Sequence, residues 1–139
     1  MPLALISAEF AAKSGKAAKA LNTLRATCKK KLQAEKIDFT EFCVPGAFEI
    51  PSAAQKALAK KKFAGVIALG IIVRGETIHF ELVAENCARK LADLSITFSK
   101  PVIFGVLATE SRQQAEARAR QGAKFATAAL QMLNILKKI

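Results

Sequence analysis

Tryptophan and tyrosine are absent from this chain of 139 residues, histidine occurs once and cysteine three times. With phenylalanine the only aromatic, no rings are interleaved among the lysines to form the stacking platforms on which single-stranded nucleic acid lies. The cysteines, Cys28, Cys43 and Cys87, are odd in number, lack C-x-x-C spacing and have a single histidine for company. That pattern argues against a disulfide framework or a metal site, and for a reducing cytoplasmic setting. No apolar run approaches membrane-spanning length, and Met1-Pro2-Leu3-Ala4 lacks the basic-then-apolar layout of a secretion signal, so a soluble protein is expected. Acids are also scarce: 11 Asp and Glu stand against 22 Lys and Arg, giving +11 and a pI near 9.9. Such a surplus suits nucleic acid, anionic metabolites or plain solubility. The lysines of 13–36 and 56–62 fall on the polar faces of predicted helices, so most of the charge reads as solvated surface.

What is present is a core. Hydrophobic residues make up 52% and charged residues 24%, the balance of a compact chain long enough for one domain over 1–139 and too short for two. Leu3 to Ala8 is a short apolar strand. Ser14-Gly15 opens a helix whose apolar positions Ala17, Leu21, Leu24, Cys28 and Leu32 recur at the helical interval. Asp38 to Val44 alternates as a strand and Pro45-Gly46 ends it; Pro51 then suits the first turn of a short helix over Ala53 to Lys61. Val66 to Val73 is a buried-looking aliphatic run that stops at Arg74-Gly75. A third helix follows, with Val83, Cys87, Leu91, Leu94 and Phe98 on one face and Thr77 as its N-cap. Val102 to Leu107 is nearly continuous in apolar residues, as a parallel strand covered on both sides should be. Ser111 with Gln114 forms a capping-box pattern for a last helix, kinked at Gly122 and lined by Phe125, Ala129, Met132, Leu136 and Ile139. Strand and helix thus alternate four times. That order predicts a three-layer α/β/α sandwich, flavodoxin-like, on a four-stranded parallel sheet whose two open edges invite oligomerisation.

Ligands bind at the carboxyl ends of such strands. Three unusual loops fall on that rim: Phe10, Pro45 to Glu49, and Arg74 to His79. Phe10 can stack on a planar heterocycle or pack on the first helix. Gly46, Ala47, Phe48 and Glu49 combine a turn, an aromatic ring and a carboxylate, suited to a hydroxylated or amide-bearing ligand or simply to opening a helix. The turn at Gly75, Glu76 and Thr77 aims the first N–H groups of a helix above the sheet, an arrangement that attracts anions. Arg118 lies about two turns into the last helix, where it can reach an anion or face solvent. His79 alone can donate and accept protons near neutrality, with no Ser-His-Asp set beside it. These residues together describe a site for a flat, polar, partly anionic ligand.

Laid side by side, VPGAFEIP at 44–51, ALGIIVRGETIHFELVA at 68–84, and PVIFGVLATES with QQAEARA within 101–119 strongly resemble lumazine synthase. The RGET-x-H block is the most specific of them, and the spacing of the blocks matches that family over most of the chain. The resemblance implies condensation of 5-amino-6-(ribitylamino)uracil with 3,4-dihydroxy-2-butanone 4-phosphate to give 6,7-dimethyl-8-ribityllumazine, without metal or organic cofactor. It implies that Phe10 stacks on the pyrimidine, that Gly46, Ala47, Phe48 and Glu49 hold the ribityl chain, and that backbone groups of Ile71, Ile72 and Val73 read the uracil edge. Gly75, Glu76 and Thr77, with Arg118, would bind phosphate, and His79 would shuttle protons. Phe104 would enter the site from an adjacent subunit of a pentamer, which in some members builds an icosahedral shell.

The chain departs from the family in places. Ala11 follows the stacking aromatic where asparagine is frequent, and Ala117 replaces a frequent glutamate. The segment after Arg118 is short, with Gln121 nearest to a missing lysine, as in archaeal-type members. An N-terminal segment that pairs with a neighbouring sheet in longer members is expected to be lacking. Two other readings are a shell or scaffold recruiting anionic cargo such as RNA, and an archaeal-type riboflavin synthase, against which the RGET-x-H block argues.

Overall fold

The computed structural model describes residues 1–9, 18–75 and 79–139. Strand β1 (Leu3–Ala8) leads to helix α1 (Ala18–Ala34), β2 (Phe39–Val44), a 3-10 turn (Ala47–Glu49) and α2 (Ile50–Leu58). There follow β3 (Gly65–Val73), α3 (His79–Phe98), β4 (Val102–Thr109), α4 (Arg112–Ala119) and α5 (Gly122–Lys138). The four strands form one sheet in the order β2-β1-β3-β4, every neighbouring pair parallel. Side chains of a strand alternate between faces, and the two layers of helices divide the strands accordingly. Leu3, Leu5, Ile67, Leu69 and Ile71 join α1, α4 and α5 in one cluster, while Ala4, Ile6, Val66, Ala68 and Val106 join α2 and α3 in the other. The expected α/β/α sandwich is what the chain forms.

The central strands are covered on both sides: β1 is buried along its whole length, and β3 from Gly65 to Ile71. β2 and β4 are the edges. Arg25 and Lys29 of α1 reach the β2 edge, holding Glu41 at 3.1 and 3.2 Å. Partial burial pushes the Glu41 carboxyl up, but the hydrogen bonds from these two cations outweigh it and hold it below the usual carboxylate range.

β4 is apolar and packs on both helix layers, Ile103 and Leu107 on one side and Val102 and Val106 on the other. As an edge strand it is covered less completely than β1 or β3, and Phe104 departs from the expected covered strand at 39% exposed. The predicted stripe on the last helix also turns outward: Phe125 and Ala129 join the core, whereas Met132, Leu136 and Ile139 are exposed. The face that buries is instead Gly122, Ala126 and Ala129, small residues that let α5 lie close on α1.

The expected last helix is two, α4 and α5, and Gly122 opens the second where it lies against α1. A Cβ on Gly122 would stand 2.1 Å from Thr27 Oγ1 and 2.4 Å from the Leu24 carbonyl oxygen, so only glycine fits where α5 begins. Gly122→Val is accordingly expected to destabilise the fold by roughly 1–3 kcal/mol, the usual cost of overpacking a core. Denaturant unfolding checks this, and an unchanged midpoint would contradict it. The N-terminus of α4 is capped as expected, Gln114 N–H donating to Ser111 Oγ at 3.1 Å. The reciprocal bond reaches one residue further back than in the standard box, from Glu110 N–H to Gln114 Oε1 at 2.9 Å.

Candidate functional site

From β1 the chain moves outward to β2 and then returns past β1 to β3, so the sheet order reverses between β1 and β3. A crevice opens at the carboxyl ends of strands on either side of such a reversal. The register defines its floor. β1 pairs with β3 only from Leu3↔Gly65 to Ser7↔Leu69, whereas β4 pairs with β3 all the way to Val73↔Thr109. Residues 70–73, including Ile71, Ile72 and Val73, therefore run past β1 and, among the described residues, pair in the sheet on the β4 side alone. On the β1 side they present the N–H and C=O groups of a short sheet edge, the kind of edge that pairs with the amide edge of a planar ligand.

The end of β2 closes one wall. Glu9 N–H donates to the Val44 carbonyl at 2.8 Å and ties the exits of β1 and β2 together. Gly46 is extended (φ −150°, ψ 177°), and Glu49 N–H donates to its carbonyl at 3.1 Å, closing the 3-10 turn. Ala47 is buried under that turn while Phe48 is 60% exposed and Glu49 is also exposed, so the ring and the carboxylate remain at the surface of the rim.

The opposite wall is the passage from β3 into α3. Arg74 N–H donates to the Thr109 carbonyl at 2.9 Å, fixing the turn to the end of β4. Its guanidinium bonds Glu110 Oε2 through Nε at 2.7 Å, pairs with Glu81 in the first turn of α3, and lies 4.5 Å from the centre of the Phe80 ring. Hydrogen bonds to Glu81 and then Glu110 raise the Arg74 pKa, and the bond from Arg74 lowers that of Glu81. Gly75 follows in open space, where a Cβ would meet nothing within 4 Å. His79 is the exposed first residue of α3.

Phe10, Glu76 and Thr77 lie outside the described residues, as does the Ser14-Gly15 helix start. The structure brings Gly46 to Glu49, Ile71 to Val73, Gly75 and His79 to one rim. Phe104 and Arg118 do not sit there with them. Phe104 is opposite Ala68, five positions before the Val73↔Thr109 pair, or about 16 Å down the sheet at the rise of a strand. Arg118 is exposed in the last turn of α4, about 10 Å below its cap at Ser111, and makes no ion pair among the described residues. The ion-pair network around Arg74 is what the sequence reading missed, since Glu81 and Glu110 are 7 and 36 residues away from it.

Among the described residues no group of His, Cys, Asp and Glu could hold a metal, and no helix is long and apolar enough to cross a membrane. Burial pushes the thiols of Cys28 and Cys87 up to about 12 and about 11, which makes them inert packing groups. Two hollows lie away from the rim, one between Ile96, Met132 and Leu136 near the start of β4, the other between α2 and α3.

The fold and this rim define a class: an α/β protein of flavodoxin-like topology, with its unusual loops gathered at the reversal of its sheet. Residues 1–137 match the family model for 6,7-dimethyl-8-ribityllumazine synthase. Two curated relatives of that name, from Thermococcus kodakarensis and Thermococcus onnurineus, are each 41% identical over 116 residues. The match covers 81% of this chain, and 73% and 75% of the respective relatives. The chain belongs to the 6,7-dimethyl-8-ribityllumazine synthase family, the transferases that act in riboflavin biosynthesis.

Proposed function

We propose that the crevice between the ends of β1 and β3 is where this chain joins 5-amino-6-(ribitylamino)uracil to 3,4-dihydroxy-2-butanone 4-phosphate. The observation that carries this reading is the overhang of β3. Backbone groups of Ile71 to Val73, left without a β1 partner, match the donor and acceptor pattern of a uracil edge. Phe10, two residues beyond β1 in sequence, stacks on the ring in this reading. Gly46, Ala47, Phe48 and Glu49 take the ribityl chain, the exposed Glu49 carboxylate accepting hydrogen bonds from its hydroxyls.

The phosphate of the second substrate then belongs at Gly75, Glu76 and Thr77, where the absence of a Cβ at Gly75 leaves the backbone open to close approach. Arg118 supplies the countercharge. With both substrates held so that amine meets carbonyl, proximity is the main source of rate. Nitrogen adds to the carbonyl and water leaves as the imine forms; phosphate is then eliminated and ring closure completes the product. His79 at the edge of the crevice takes up and returns the protons of these steps. No metal or organic cofactor takes part.

Phe104 and Arg118 complete the pocket from a neighbouring protomer. Phe104 is supported in that role by its depth on an exposed edge strand, too far down the sheet to reach its own chain's rim. The assembly is a pentamer or a larger body built of pentamers, each chain a single domain, working in the cytoplasm. Mixing the purified protein with both substrates and following the absorbance of the product tests the reading. A rate well above the uncatalysed background is expected, and none above it would overturn the assignment.

A further inference from the structure

The RGET-x-H block opens with an arginine at the mouth of a site that takes an anion, and the simplest assumption is that it binds that anion. The structure says otherwise. The guanidinium of Arg74 is already engaged by two carboxylates, Glu110 on its Nε and Glu81 on its terminal nitrogen, with the Phe80 ring beneath it. Those carboxylates flank the turn on both sides: Glu81 lies two residues beyond His79 in the first turn of α3, and Glu110 directly follows the end of β4. Left alone, two negative charges beside a phosphate site would repel a phosphorylated substrate and cancel the pull of the helix start. The geometry points to Arg74 as a positioning residue that acts through Glu81 and Glu110: it balances their charge and straps β3, β4 and α3 together, so that the exit of β3 at Gly75 and the start of α3 stay receptive to the substrate phosphate without Arg74 touching it.

This rests on the reading of the rim given above, and it adds a second arginine with a role different from that of Arg118. Arg118, without an ion pair among the described residues, is available to the dianion; Arg74 is occupied. Lysine serves only in part, because a single ammonium keeps the charge but lacks the planar fork that spans two carboxylates over a ring.

The test is steady-state kinetics against the phosphorylated ketone, at low and at high salt, for Arg74→Ala, Arg74→Lys and the triple variant Arg74→Ala/Glu81→Gln/Glu110→Gln. Arg74→Ala is expected to raise KM about tenfold at low salt with a smaller change in kcat, and the defect should shrink at high salt as the uncovered carboxylates are screened. The triple variant should recover most of the lost affinity, because the charges that needed balancing are gone. Arg74→Lys should fall between the wild type and Arg74→Ala. An unchanged KM in Arg74→Ala would overturn the proposal. So would a triple variant as weak as Arg74→Ala, since that is the behaviour of a direct phosphate ligand. If Arg74→Ala does not fold, Glu81→Gln/Glu110→Gln replaces it: KM at or below the wild-type value supports the charge balance, and a raised KM contradicts it. A wild-type protein without turnover would instead remove the functional reading. In that case the shift in melting temperature caused by inorganic phosphate, reduced in Arg74→Ala and restored in the triple variant, still decides the role of Arg74.

Discussion

His79→Ala is expected to lower kcat by about 10²- to 10⁴-fold, the span that a positioned general acid–base contributes, while a product analogue binds nearly as well as before. The reason lies in where the residue sits. His79 is the exposed first residue of α3, at the mouth of the crevice rather than in its floor, so its removal empties no core and unpairs no strand. It is also the one histidine in the chain, so no neighbouring imidazole can take over the proton transfer. Proximity of the two substrates would survive the substitution, which is why residual turnover above the uncatalysed rate is expected. Rapid-mixing kinetics and equilibrium titration with the analogue separate the two effects. Equal loss of analogue binding and turnover would mean that His79 holds the ligand rather than moving its protons.

Arg118→Ala is expected to weaken the phosphorylated ketone by roughly 1.5–3 kcal/mol, the contribution of a charge-assisted hydrogen bond, or about 10- to 150-fold in KM. The uracil substrate should be unaffected, because the exposed Arg118 side chain takes no part in the packing of α4 on the crevice floor, which Ala115 and Ala119 provide. Arg118→Lys should restore part of the affinity, since a single charge replaces a fork that can grip two phosphate oxygens. The two arginines are thus predicted to differ in kind: glutamine at the two acids repairs the loss of Arg74, and no neutralisation of nearby carboxylates repairs the loss of Arg118. Saturation curves for each substrate in turn check this, and an unchanged KM for the phosphorylated ketone would remove Arg118 from the site.

Much of this was legible in the sequence because helical and strand periods leave different marks. The core face of α1 at Leu21, Leu24, Cys28 and Leu32 follows from spacing alone, and all four are buried. The β-α order also implied the rim, since in a parallel sheet every strand delivers its exit loop to the same side. What spacing cannot distinguish is an apolar residue facing its own core from one facing a neighbour. Phe104 on β4 and Met132 and Leu136 on α5 look like core in sequence and are exposed in the chain. Gly46 reads as a turn glycine, yet its backbone is extended, a conformation that does not call for glycine. Gly122 is the opposite case: it reads as a mild kink, and only the distance to Thr27 and Leu24 shows why a side chain is excluded. The pairing of Arg74 with Glu110 is likewise created by strand register, which joins Val73 to Thr109 across 36 residues of sequence.

The central claim is that two protomers build one site, and it is tested most directly by measuring mass and activity together. Light scattering on material leaving a sizing column, with each fraction assayed for product formation, gives both for every species present. All turnover is predicted to travel with assembled particles several times the 14.9 kDa of one chain. A fully active species at the mass of a single chain would contradict the account, because the site would then be complete without a neighbour's Phe104 and Arg118.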